Sequence, residues 1–364
     1  MDEVKKQRNK KHIILILLVL LVVSAVIVYI CIDKSNNPFI VQLSDEGMVI
    51  TGYRGFAREV DIPDEIDSVY VTAIGDRAFA DNKRLTGISI PDSVTSIGEG
   101  VFSNCSSLVQ VKLSSNIKEI YNNTFLNCKS LEKVILPDGV ETIGSKAFCG
   151  CSALKDIELS VSLVTVGEYA FSECQSLESV SLPERILSIG KGAFSRCYML
   201  ESITIPDGIQ TICEDTFSEC ASMKEIELSD SVKTIEKNAF FNCESMEYID
   251  FGSVESIGNR AFAYCFNLNE ISLSDNTAII EEGAFYYCRD LKELVLPDTD
   301  IQIRPGAFGN CYSLSRILMP PNVNLQKSEA FYSCPYAVIY GKEGSFAETY
   351  ATEKVIPFAS YIFD

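Results

Sequence analysis

Phe148-Cys149-Gly150-Cys151-Ser152-Ala153-Leu154-Lys155-Asp156-Ile157-Glu158-Leu159 carries the pattern that decides the fold. Leu154, Ile157 and Leu159 have Leu-x-x-Ile-x-Leu spacing, and Ile157 and Leu159 alternate with Asp156 and Glu158. A period of two buries one face of a strand and leaves the other in water. The leading phenylalanine returns at positions 79, 102, 125, 148, 171, 194, 217, 240, 262, 285, 308 and 331. The steps are 23 residues, except for one of 22 between Phe240 and Phe262. Every one but Phe79 is followed three places later by cysteine, and Asn82 holds that place in the first coil. So strict a period predicts a solenoid, in which each coil buries its apolar face against its neighbours.

The rest of the coil follows from turn chemistry. A Pro-Asp pair ends many strands, as at Pro91-Asp92, Pro137-Asp138, Pro206-Asp207 and Pro297-Asp298, because proline fixes φ and removes a ladder donor. A second apolar pair comes next, such as Val140 and Ile143, often followed by glycine (Gly98, Gly144, Gly167, Gly190, Gly258). The Ala-Phe segment that closes the coil, as in Ala147-Phe148 and Ala193-Phe194, is expected to be a helical turn or a short 3-10 segment.

These in-phase positions closely resemble the BspA-like leucine-rich-repeat family over about residues 60 to 336. Val60-Asp61-Ile62-Pro63 is similar to a degenerate first strand. Val338-Ile339-Tyr340-Gly341 and Ser345-Phe346-Ala347-Glu348-Thr349-Tyr350-Ala351 resemble a terminal strand and small helix that cover the last coil. The resemblance implies a cell-surface protein, usually bacterial, associated with adhesion and host or matrix contact, and it implies no catalytic residues. The expected fold is a repeat solenoid. It is a right-handed leucine-rich-repeat coil of about twelve 23-residue turns, with short parallel strands and helical or 3-10 corners, preceded by one transmembrane helix. The expected divisions are a basic tail (1–12), the transmembrane helix (13–32), a linker (33–38), an N-terminal cap with a degenerate coil (39–71), the solenoid (72–336) and a C-terminal cap (337–364).

Ile13 to Ile32 is uncharged and long enough, at about 1.5 Å per residue, to span a bilayer as a helix. It ends on Val28-Tyr29-Ile30-Cys31-Ile32, where a signal peptidase needs small residues, so an uncleaved anchor is favoured over a cleaved signal. Lys5, Lys6, Arg8, Lys10 and Lys11 against Asp2 and Glu3 give residues 1–12 a charge of +3. Residues 33–364, with 26 basic and 48 acidic side chains, carry −22. Positive charge before the segment places the N-terminus in the cytoplasm and the repeats outside a cell membrane crossed once. An acidic body of that size repels phosphate backbones and makes nucleic acid an unsuitable partner.

His12 is the sole histidine, so no Ser-His-Asp, Cys-His or His-containing zinc site can form in the repeats. No P-loop or other Gly-rich phosphate fingerprint is present, and no pair of carboxylates stands out. An enzyme is not expected, and no cofactor or metal is implied. Eleven of the 14 cysteines occupy the repeated place. Adjacent coils bring such positions within disulfide range. An odd ladder cannot pair completely, however, and cysteine fills a small apolar corner well, so buried free thiols are favoured.

Two groups of variable residues are candidates for partner binding. Glu225, Glu227, Asp250, Glu270 and Glu293 are expected on the outward face of the Leu-x-x-Ile-x-Leu strands, and a solvated face is their plainer reading. Tyr198, Phe241, Tyr264, Phe266, Tyr286, Tyr287, Tyr312 and Tyr332 are expected around the Phe-Cys corner, where earlier coils carry mostly Ser, Asn, Lys or Gln. Such rings either anchor a protein or carbohydrate partner or pack on one another to stiffen the last coils. The function expected is a membrane-anchored extracellular binding or adhesion scaffold. The alternative is a purely structural surface or envelope protein without a specific ligand.

Overall fold

The computed structural model describes residues 37–323, 325 and 328–361. The basic tail, the apolar run 13–32 and the first part of the linker lie outside the described residues. Among the described residues, no helix is long and apolar enough to cross a membrane.

Alternating apolar residues form the strands that the Leu-x-x-Ile-x-Leu spacing demands. Lys133–Ile135 pairs in parallel with Asp156–Glu158, placing Val134 opposite Ile157, and both side chains are buried. The same parallel pairing joins Glu59–Asp61 to Gly87–Ser89 and Arg316–Leu318 to Ile339–Gly341. A second parallel ladder of two-residue strands is formed by the second apolar pair, as in Thr142–Ile143 against Thr165–Val166. The coils make a β-solenoid of about 13 turns, because Ile339–Gly341 continues the stack beyond the twelfth phenylalanine.

The Ala-Phe corner is not helical, which corrects the expectation from sequence. The amides of Gly100, Phe102 and Asn104 point along the solenoid to the carbonyls of Asn122, Thr124 and Leu126, at 2.9, 2.9 and 2.7 Å. Between them, Ser103 and Cys105 turn back to Gly100 and Phe102, both at 3.0 Å. Gly100 and Asn104 are left-handed, with φ of +58° and +61°. An α-helix needs uniform right-handed φ and bonds to the fourth residue back. Here every second amide is used to hold the next coil, so the corner is a stack of tight turns and a third backbone ladder.

The phenylalanines form one column. From Phe79 to Phe331 successive ring centroids lie 4.9–5.6 Å apart, with near-parallel planes through the middle coils. Tyr53 stacks on Phe79 at one end, and Tyr350 meets Phe331 edge-on at the other. The 22-residue step removes one residue after the strand Tyr248–Asp250. Phe251 fills the resulting corner, fully buried and edge-on to Phe262 and Phe285 at 5.4 and 5.9 Å.

Each ladder cysteine has a polar task beyond filling space. The Phe102 carbonyl accepts the amide of Cys105 in its own coil and the thiol of Cys128 from the next coil, at 3.1 Å. The same thiol-to-carbonyl bond recurs up to Cys334 and Phe308, at 3.0–3.3 Å. A buried carbonyl has two lone pairs, and the thiol supplies its second donor. The 13 described cysteines are free, and within the ladder only Cys334 is half-buried rather than buried.

The ends are covered by other elements. Phe39–Ser44 and Gly47–Tyr53 form an antiparallel hairpin that pairs with Val69–Ile74. At the far end the helix Phe346–Lys354 leads into Phe358–Ser360, which pairs in parallel with Ile339–Gly341. Covered edges do not recruit further strands.

Candidate partner-binding surface

The turn geometry of the corner fixes where the candidate rings point. The place two residues after each column phenylalanine is left-handed throughout, from Asp81 (φ +62°) to Ser333 (φ +57°). Side chains at this place stack outside the column. In early coils they form amide ladders, with Asn104 donating to Asp81 at 2.9 Å and Asn127 donating to Asn104 at 3.0 Å. In the middle coils Arg196 lies between Glu173 and Glu219, at 3.2 and 3.1 Å. At Tyr264 and Tyr287 the place is aromatic, and Asn310 and Ser333 make it polar again in the last two coils.

Tyr264 is the hub of a contiguous ring cluster. It meets Phe241 at 5.4 Å, Tyr286 at 5.6 Å, Tyr287 at 5.5 Å and Phe266 at 6.1 Å. Tyr287 extends it to Tyr312 at 5.5 Å, and Tyr286 extends it to Tyr332 at 6.3 Å. Arg289 lies over both Phe266 and Tyr287, at 4.7 and 5.0 Å. The Tyr312 hydroxyl donates to that of Tyr287 at 3.3 Å. This bond, with the nearby Arg289, holds the Tyr287 hydroxyl below its usual range, and the same bond raises that of Tyr312. The rings remain partly open to solvent, with Tyr312 39% and Tyr332 42% exposed. Seven of the eight aromatic candidates thus come together. Tyr198 does not, because Ala221 and Glu244 hold its place in the next two coils.

A cleft of about 300 Å³ runs beside the cluster. Tyr264, Tyr286 and Tyr332 line one side, and Arg260, Glu282 and Glu329 supply charges. Gly283 and Gly306 also line it, and Tyr332 lies so close over Gly306 that a Cβ there would stand 2.8 Å from Cε1 of the ring. Sequence reasoning missed this cleft. The signal available was the place two residues before the phenylalanine, where two successive coils carry glycine only at Gly283 and Gly306.

The acidic candidates occupy the strand face of the coils. Glu225, Glu227, Asp250, Glu270 and Glu293 are exposed and alternate with buried Ile226, Ile249, Ile271 and Leu294. Two are partly engaged. Glu227 accepts the Thr204 hydroxyl at 3.0 Å, and Glu293 lies 3.7 Å from the Arg316 guanidinium. Among the described residues, no group of three or more His, Cys, Asp or Glu side chains is arranged to hold a metal ion.

Residues 72–346 match the BspA type leucine rich repeat region, in overlapping stretches 72–200, 145–265, 187–314 and 251–346. The chain belongs to the BspA-type leucine-rich-repeat family. A leucine-rich repeat protein from Bacteroides ovatus is 26% identical, with a TM-score of 0.59 over 91% of this chain and 100% of that one. One from Eubacterium ventriosum shares the fold at 20% identity, with a TM-score of 0.50 over 82% of this chain and 87% of its own. No curated protein matches the sequence. The BspA-type scaffold is that of a surface-protein family of repeats, and no catalytic family is indicated.

Proposed function

We propose that this BspA-type protein is a membrane-tethered scaffold outside the cell that binds a protein or carbohydrate partner through its C-terminal coils. The observation that carries the reading is the contiguous, part-exposed ring cluster from Phe241 to Tyr332, which replaces the amide and ion-pair ladders of earlier coils. Contiguous exposed rings are the usual anchors of an interface. The acidic strand face steers association, and the run 13–32 supplies the anchor, its basic flank inside.

A purely structural surface protein is the second reading, favoured by the rings packing on one another. Two full-length variants separate the readings. One has Tyr264, Tyr286 and Tyr287 changed to Ser. The other has Glu225 and Glu227 changed to Gln and Asp250 to Asn. The ring variant, folded by circular dichroism, is expected to lose a captured surface partner. The acidic variant is expected to bind more slowly and with less dependence on salt. Unchanged binding by both sinks the site.

For the topology, protease added to intact cells expressing the chain is expected to remove the repeats. Protected repeats, or a mature chain that starts after residue 24, refute the anchored arrangement.

A further inference from the structure

We propose that the cleft between Arg260 and Glu329 is a binding site for a neutral saccharide, an inference that rests on the binding role just given to the C-terminal coils and names its ligand class. The first argument is shape. At the place two before the phenylalanine, neighbouring coils carry Asn238, Arg260 and Glu329, whereas Gly283 and Gly306 carry no side chain. Coils stack about 5 Å apart, and the side chain missing at Gly283 leaves open space between Arg260 and the Tyr332 ring, which lies over Gly306. The resulting 300 Å³ lies at the small end of small-molecule sites.

The second argument is chemistry. Tyr286 and Tyr332 present rings along one wall, suited to the C–H face of a pyranose. Arg260 offers only donors, and the Glu282 carboxylate only acceptors, so together they satisfy hydroxyls of either orientation.

The third argument is charge. Glu329 is held by Lys354 at 2.7 Å, so two cationic and two anionic groups balance around the cleft. A body carrying −22 repels anionic glycans, and Arg260 and Lys354 already supply the cations that a basic peptide would bring. A neutral polyhydroxylated ligand meets neither obstacle.

Gly283→Asn tests the cleft without breaking the coil. Asn123 and Asn238 occupy the equivalent place with φ of +58° and +55°, close to the +64° of Gly283, and a Cβ at Gly283 meets only ordinary contacts at 3.4 and 3.7 Å. The full-length chain, purified in detergent, is applied to an array of neutral hexose and N-acetylhexosamine oligomers, with sulfated glycans and hexa-arginine peptide as charged probes. Binding to neutral oligomers, insensitive to salt, is expected. Gly283→Asn should weaken it at least tenfold with an unchanged melting temperature. A Tyr198→Ser variant, outside both the ring cluster and the cleft, should leave it intact. Neutral oligomers bound equally by Gly283→Asn overturn the assignment in favour of the open ring surface. Binding of only sulfated glycans or hexa-arginine, or of no array probe at all, also overturns it. In that last case, capture of a partner that is lost in the Tyr264, Tyr286, Tyr287 variant leaves the broader reading standing.

Discussion

Raising the pH above about 9 is expected to unfold the solenoid within a narrow interval, well before pH 12. Ten ladder thiols, from Cys105 to Cys311, are buried. Burial is the main cause that pushes Cys105, Cys220 and Cys265 up to about 12 and the others well above their ordinary value. In the unfolded chain the same thiols ionise near 9. The folded chain therefore keeps protons that the unfolded chain releases. Their stabilising effect is complete below pH 9 and is lost as the pH climbs towards the folded values. Each thiol weakens the fold by about 1.4 kcal/mol per pH unit in that window. Several losing stability together exceed the roughly 5–15 kcal/mol that holds a typical domain. Far-ultraviolet circular dichroism and thiolate absorbance, followed together, should change at the same pH. Replacing Cys197, Cys220 and Cys243 by Ala should flatten the transition. A chain still folded at pH 12, or native thiols alkylated as fast as denatured ones, would refute the argument.

Those thiols also show how far the sequence can be read. The period of the phenylalanines and the alternation around Ile157 were legible because core packing demands the same residue at the same place in every coil. The acidic residues at the outward strand places were legible for the same reason, since the strand period leaves them no other face. The corner was not. Its left-handed places are held by Asp81, Asn104, Gly150, Glu173, Arg196, Tyr264 and Tyr287, a mixture with no single signature. What keeps them left-handed is the bonding of alternate amides to the next coil, a tertiary cause that overrides the helical look of Ala-Phe. The closing strand Phe358–Ser360 escaped notice because it is short and follows a helix, outside the repeat. The cleft escaped for a different reason. It is made by what Gly283 and Gly306 lack, and a search for reactive or aromatic side chains passes over an absence.

Phe194→Ala is expected to destabilise the chain by about 3–5 kcal/mol, the usual cost of removing a buried aromatic side chain. Phe194 is fully buried and stacks on Phe171 at 5.3 Å and on Phe217 at 5.6 Å, with planes within 10°. A coil touches only its neighbours, so no distant part of the molecule can close over the cavity. The loss falls on both interfaces of one coil, and these are the contacts through which the two halves of the stack sense each other. Urea unfolding is therefore expected to shift to lower denaturant and to broaden or split, as the coils before and after Phe194 begin to unfold separately. Phe102→Ala, nearer the N-terminal end, should lower stability but leave the transition of the remaining coils intact. Ser195→Ala, at the next residue but outside the column, should change little. A loss of under about 1 kcal/mol for Phe194→Ala, or a single unfolding step as steep as that of the parent chain, would mean that the column fills space without coupling the coils.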